Sequence, residues 1–174
     1  VIGSDNHKSY KIMEEVYNPL YINNKPIVHT SVVTAEMIKY ASNAFLALKI
    51  SYINEVANLC EALGADIQQV AQVMGQDGRI SPKFLHPGPG YGGSCFPKDT
   101  AALASLSKKA GLEMRTIEAA IRTNIFQKNR MVKKMKNLVG GTFKNKKIAV
   151  LGLAFKPNTN DIRESAAINM IGAI

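Results

Sequence analysis

The stretch Gly88-Pro-Gly-Tyr-Gly-Gly-Ser-Cys-Phe-Pro-Lys-Asp99 brings together what covalent catalysis requires. A thiol, Cys95, follows four glycines, and a backbone without side chains can approach a bound molecule closely. Lys98 and Asp99 come within one turn of it, ahead of the apolar run Thr100-Ala-Ala-Leu-Ala-Ser-Leu106. Asp99 reads as the N-cap of a helix, which sets Cys95 near the positive end of that helix. The field there, with a lysine nearby, favours a thiolate, the form that acts as nucleophile. A cysteine taken alone is more often a small buried hydrophobe. That is how Cys60 reads, on the apolar side of Val56-Ala-Asn-Leu-Cys-Glu-Ala-Leu63. Two cysteines make no disulfide framework, and no Cys/His spacing suggests a metal site. A reducing, cytoplasmic setting fits both thiols.

Long helices must position these groups. Asn6 to Asn18 suits a helix ended by Pro19, and Pro26-Ile-Val-His-Thr30 a short strand. From a cap at Thr34, the residues Met37, Ile38, Ala41, Phe45, Leu48, Tyr52, Val56, Leu59 and Leu63 recur at three- and four-residue spacing, with Gly64 closing the helix. Asp66-Ile-Gln-Gln69 is a capping-box pattern for a short helix ending at Gly75. Residues 76–95 read as a Gly/Pro-rich loop of the length usually kept for function. Residues 100–110 predict one helix and 115–138 a second long one, stopped by Gly140-Gly141. The period then changes, and Lys147-Ile-Ala-Val-Leu-Gly-Leu-Ala-Phe155 reads as a buried parallel strand. A polar turn and a helix from Glu164 follow, the opening of a nucleotide-binding-type α/β domain that lacks G-x-G-x-x-G. The expected organisation is 1–33 as the tail of one α/β domain, 34–142 as an all-helical middle domain, and 143–174 as the start of a second α/β domain. Val1-Ile2-Gly3 reads as the end of a strand and Ile171–Ile174 stops within a pattern, as expected of a piece of a longer protein.

The formal net charge is +9. Between Glu118 and Asp161 there is no acidic residue, while Arg122, Lys128, Arg130, Lys133, Lys134, Lys136, Lys144, Lys146, Lys147 and Lys156 all occur. Such a run attracts polyanions. No nucleic-acid motif accompanies it, so most of it reads as a solvated face and no nucleic-acid partner is expected. No segment approaches the roughly 20 apolar residues of a membrane span.

Three motifs resemble the nucleotide-sugar 6-dehydrogenases, the UDP-glucose/GDP-mannose dehydrogenase family. Gly90 to Asp99 resembles the family's catalytic-cysteine motif. Ala35-Glu-Met-Ile-Lys-Tyr-Ala-Ser-Asn43 resembles the start of its central helix, and Gly152-Leu-Ala-Phe-Lys-Pro-Asn-Thr-Asn-Asp-Ile-Arg-Glu-Ser165 the entrance to its C-terminal domain. The resemblance implies a mainly α fold: a long-helix central dimerisation domain of the 6-phosphogluconate-dehydrogenase C-terminal-like type, flanked by partial Rossmann-like segments. It implies NAD as cofactor, UDP-glucose as the favoured substrate, a homodimer through the central helices, and oxidation to UDP-glucuronate through a thiohemiacetal and a thioester on Cys95. GDP-mannose or UDP-N-acetylmannosamine is the alternative substrate. The alternative class is a helical dimerisation module with no chemistry of its own.

The resemblance also implies roles. Lys39 and Asn43 stand at i and i+4, where an ammonium and an amide stabilise charge on the reacting oxygen. Asp99 matches a carboxylate that works with the lysine and a water. Arg79 resembles a substrate-binding arginine that reaches across the dimer interface. Phe84, Leu85, Gly90, Tyr91 and Gly92 resemble the loop that wraps the substrate. His86 stands where some relatives carry lysine. Phe155 and Lys156 resemble residues that approach the sugar. Arg163, joined by Lys98, resembles a contact to the NAD diphosphate, with pairing to Glu164 as the other possibility for Arg163. The dinucleotide fingerprint is not in this sequence, so the chain alone is expected to have no dehydrogenase activity.

Overall fold

The computed structural model describes residues 1–20 and 26–174. The chain is mainly helical, as the sequence implies, and divides into two compact units, 1–42 and 43–174.

In the first unit, strand β1 (Ile2–Gly3) pairs in parallel with β2 (His29–Thr30), Ile2 opposite His29. Helix α1 (His7–Tyr17) starts where predicted, because the Asn6 side chain accepts the Ser9 N–H at 2.8 Å. The Tyr10 hydroxyl donates to the carbonyls of Thr30, at 2.7 Å, and Ser4, tying α1 to the strand pair.

Helix α2 (Val32–Leu63) begins in the first unit and continues through the second. It starts two residues before the expected cap at Thr34. Ser31 takes that place instead, its Oγ accepting the Thr34 N–H at 3.2 Å. Gly64, at φ +73°, closes α2 as expected.

The second unit holds α3 (Ile67–Gln76), α4 (Phe96–Lys109), α5 (Arg115–Leu138) and the short α6 (Ala166–Ile171). Asp66 caps α3 by accepting from Gln68 and Gln69 N–H. Ala44, Ala47, Ser51 and Asn54 of α2 are buried, as are Ile117, Ala120, Asn124 and Gln127 of α5. Both series run at helical spacing and mix small residues with amides. Ser51 Oγ donates to the Ala120 carbonyl at 3.0 Å, and Arg130 and Lys134 reach Glu61 at 2.9 and 2.8 Å, so side chains join α2 to α5.

Two expectations are corrected here. The helix expected at 100–110 begins at Phe96, because Pro97 sits in its first turn, where a missing N–H costs nothing. The strand expected at Lys147–Phe155 does not form. A strand is held by the ladder it joins, and among the described residues the sheet pairing is that of β1 with β2, which does not include this segment. Leu151 is 97% exposed.

Candidate active site

Cys95 stands at the N-cap of α4 and is exposed, with Ser94 Oγ 3.9 Å from its sulfur. Cys60 is buried in α2, as its apolar neighbours required. Asp99 is not the cap. It lies inside the first turn of α4, its N–H donating to the Cys95 carbonyl at 2.8 Å, and its side chain is 0% exposed. A carboxylate in that position complements the positive helix end yet needs partners to be buried. Asn43 Nδ2 donates to Asp99 Oδ2 at 2.5 Å, and Lys98 Nζ lies 3.4 Å from Oδ1. The base of the cysteine turn is thus a buried carboxylate held by an amide from α2 and a surface ammonium.

The glycine loop before Cys95 is gripped by buried amides. Asn124 Oδ1 accepts the Tyr91 N–H at 2.8 Å while its Nδ2 donates to the Tyr91 carbonyl at 3.1 Å. Asn54 Oδ1 accepts the Gly88 N–H at 2.7 Å, Gln127 Nε2 donates to the Gly88 carbonyl at 2.9 Å, and Asn58 Nδ2 supports Gln127 Oε1 at 2.9 Å. These amides replace a strand ladder for a loop that has none. Gly90 is glycine for their sake: its φ is +113°, and a Cβ there would come 2.8 Å from Asn124 Oδ1.

Gly92 meets a different neighbour. A Cβ on it would lie 2.2 Å from the Glu164 carbonyl oxygen. The segment 155–165 packs on the loop through that contact, with Gly93 N–H donating to the Arg163 carbonyl at 2.8 Å and Lys128 Nζ to the Glu164 carbonyl at 3.2 Å. Burial pushes the Lys128 ammonium down, which the Glu164 charge partly offsets. Arg163 forks onto Asp161 through Nε (2.9 Å) and Nη2 (2.7 Å), so its partner is Asp161 and not Glu164. That fork holds the Asp161 carboxyl down at about 2. It also raises the Arg163 guanidinium, chiefly through the hydrogen bond and charge of Asp161.

Between the loop and this segment lies a cleft of about 510 Å³, lined by Ile50, Lys83, Phe84, His86, Gly88, Gly90, Tyr91, Gly92, Phe96, Phe155 and Lys156. Phe96, the residue after Cys95, meets Phe84 and Tyr91 edge-on, each at 5.9 Å between centroids. Burial pushes the Tyr91 phenol up, with the Thr100 hydroxyl opposing. Lys156 Nζ lies 5.2 Å from the Phe155 ring centre. Aromatic faces beside Lys83, His86 and Lys156, with no carboxylate in the lining, suit a planar base attached to phosphate.

The structure therefore brings Phe84, Gly90, Tyr91, Gly92, Phe155 and Lys156 to one cleft. Leu85 is buried outside it, and Arg79 projects into solvent, 90% exposed, forked onto Asp77. Lys39 is exposed on the part of α2 that lies in the first unit. Sequence reasoning missed Asn54, Asn58, Asn124, Gln127 and Lys128. The available signal was an amide recurring every three or four residues on otherwise buried helix faces.

The family model for the UDP-glucose/GDP-mannose dehydrogenase central domain matches residues 33–125, and that for the family's UDP binding domain matches 149–174. The chain belongs to the UDP-glucose/GDP-mannose dehydrogenase family. UDP-glucose 6-dehydrogenase of Rhizobium meliloti is 52% identical over 174 residues, 100% of this chain and 40% of the relative. UDP-glucose 6-dehydrogenase TuaD of Bacillus subtilis is 52% identical over 171 residues, 98% of this chain and 36% of the relative. The solved UDP-glucose dehydrogenase of Pyrobaculum islandicum superposes with a TM-score of 0.91 at 38% identity, covering 98% of this chain and 39% of that one. The chain thus spans at most 40% of the length of these family members. Among the described residues, no helix is long and apolar enough to cross a membrane.

Proposed function

We propose that this chain carries the substrate cleft and the nucleophile of a UDP-glucose 6-dehydrogenase, which oxidises the C6 alcohol of UDP-glucose to the carboxylate of UDP-glucuronate. The carrying observation is the exposed Cys95 sulfur at the start of α4, one residue from the wall of an aromatic, cation-lined cleft. Phe84, Tyr91 and Phe155 offer faces for the base and sugar, and Lys83, His86 and Lys156 offer charge for the diphosphate. A site of this kind spends its binding energy on the nucleotide and holds C6 at the thiol.

The first oxidation takes a hydride from C6 and a proton from its hydroxyl, leaving an aldehyde. The Cys95 thiolate adds to that carbonyl carbon, forming a C–S bond and an alkoxide that takes up a proton as the thiohemiacetal. Loss of a second hydride from C6 and of the hydroxyl proton gives the thioester. Water then adds, the C–S bond breaks, and the carboxylate leaves with the thiol restored. By motif position, Lys39 and Asn43 stabilise charge on the reacting oxygen, and Asp99 handles the proton and orients the water.

NAD supplies the hydride acceptor when bound. Among the described residues, Arg163 and Lys98, with side chains 68% and 69% exposed, suit its diphosphate. Gly88, Gly90 and Gly93 have G-x-G-x-x-G spacing but follow no strand among the described residues, so they are not the strand–turn–helix fingerprint of a dinucleotide site, and no residue of this chain is assigned to the adenosine ribose. The chain alone is accordingly expected to give no turnover with NAD and UDP-glucose. Phe45, Tyr52 and Leu59 repeat every seven residues on α2 and are all exposed, which supports a homodimer through that helix. Arg79, which lines one groove with Phe45 and Tyr52 of this stripe, is by motif position the residue assigned to reach a second copy's substrate. Both cysteines are free, which suits a reducing cytoplasm.

Calorimetric titration of the chain with UDP-glucose, GDP-mannose and UDP-N-acetylmannosamine tests the substrate. Saturable binding tightest for UDP-glucose is expected. Binding of none of the three would remove the basis of the reading.

A further inference from the structure

The turn between α3 and the glycine loop has an unusual core. Ser81 and Phe84 both have left-handed backbone, at φ +66° and +65°. Bulky residues seldom adopt that conformation without support. Three carbonyls of the turn converge on one atom: Lys49 Nζ donates to Ile80 at 2.8 Å, Ser81 at 3.3 Å and Lys83 at 2.6 Å. An ammonium has three N–H groups and accepts nothing, so these carbonyls use all of its donors. Among the described residues no carboxylate pairs with Lys49. The Asp77 carboxylate, in the same turn, is occupied by the Arg79 guanidinium and the Arg79 N–H. Three carbonyl dipoles pointing at one place repel each other unless a positive charge sits there.

The turn matters because of what it presents. Lys83 and Phe84 lie in the cleft wall, and the Phe84 ring rests edge-on against Phe96, next to Cys95. We propose that Lys49 is a positioning residue whose ammonium forms the core of the 80–84 turn and so fixes the Phe84 wall of the substrate cleft. Its placement in the turn is independent of the ligand. Its effect on binding rests on the UDP-glucose reading above.

The test uses the chain with Lys49→Met, which keeps the stem and the helix propensity, and Lys49→Arg, which keeps the charge. Hydrogen exchange at 81–86 and UDP-glucose affinity are both measured. In Lys49→Met, exchange of the turn is expected to quicken about tenfold or more while α5 is unchanged. UDP-glucose binding is expected to weaken about tenfold, and Lys49→Arg to recover most of both. An unchanged turn overturns the proposal, as does a loosened turn with undiminished affinity. If the unaltered chain binds no UDP-glucose, the substrate reading fails by itself and the exchange result still decides the role of Lys49. If Lys49→Met does not fold, trace acetylation of the unaltered chain with acetic anhydride decides. Lys49 should then react about tenfold slower than the exposed Lys146, and equal labelling overturns the proposal.

Discussion

Replacing Asn124 by aspartate alters one group of a buried clamp. Asn124 Oδ1 accepts the Tyr91 N–H at 2.8 Å, and Nδ2 donates to the Tyr91 carbonyl at 3.1 Å. Both residues are buried. Aspartate keeps the first bond and, when ionised, sets an oxygen against the carbonyl in place of the second. A buried carbonyl without its donor costs about 1–3 kcal/mol, and more where a charge is involved. Water entry and the neighbouring Lys128 reduce that, so roughly 2–4 kcal/mol is expected at pH 7. For a domain of this size, that lowers the melting temperature by roughly 4–16 °C. Protonation restores a donor at the position of Nδ2. The fold therefore holds the new carboxyl above its unfolded value of about 3.9. The deficit relative to the unaltered chain is small below that value and grows as pH rises toward the folded one. Thermal unfolding of both proteins by circular dichroism at about pH 4 and pH 7 measures it, and the difference removes the carboxylates they share. A variant that melts within about 2 °C of the parent at pH 7, or a gap no smaller at low pH, refutes the clamp.

Gly92→Ala should force the 161–165 backbone off the loop, since the added Cβ would lie 2.2 Å from the Glu164 carbonyl oxygen. Destabilisation of about 1–3 kcal/mol and faster exchange in α6 are expected, and unchanged exchange in α6 would show that the contact does not form. The Asp161 carboxyl should titrate near 2 by NMR and move toward about 3.9 in Arg163→Gln. Being depressed in the fold, it contributes stability above the unfolded value, and that contribution is lost as pH falls through about 2. An Asp161 midpoint that Arg163→Gln leaves in place would contradict the fork.

Much of this architecture was legible. The periodic residues of α2, the cap at Asp66 and the stops at Gly64 and Gly140 follow local rules that tertiary structure did not override. The cap assignments failed where two candidates competed. Ser31 displaced Thr34, and Asp99 could be read as a cap only by ignoring that Pro97 is content in a first turn. The segment 147–155 has the composition of a strand, but strand formation depends on a neighbour and composition does not supply one. The amide clamp was hidden because Asn54, Asn124 and Gln127 are separated from Gly88 and Tyr91 by about 30–40 positions, and the pairing is made only by the fold. Phe84, Gly90, Tyr91, Gly92, Phe155 and Lys156 of the cleft could be named from the motifs, whereas Ile50 and Lys83 could not and Leu85 falls outside it.

The reactivity of Cys95 tests the central claim most directly. Iodoacetamide labelling of the folded chain at neutral pH, read by mass spectrometry at each cysteine, should modify the exposed Cys95 at least about tenfold faster than the buried Cys60. Saturating UDP-glucose should slow the Cys95 reaction. Equal, slow modification of both thiols, or labelling of Cys95 that UDP-glucose leaves untouched, would contradict a nucleophile placed at the mouth of the substrate cleft.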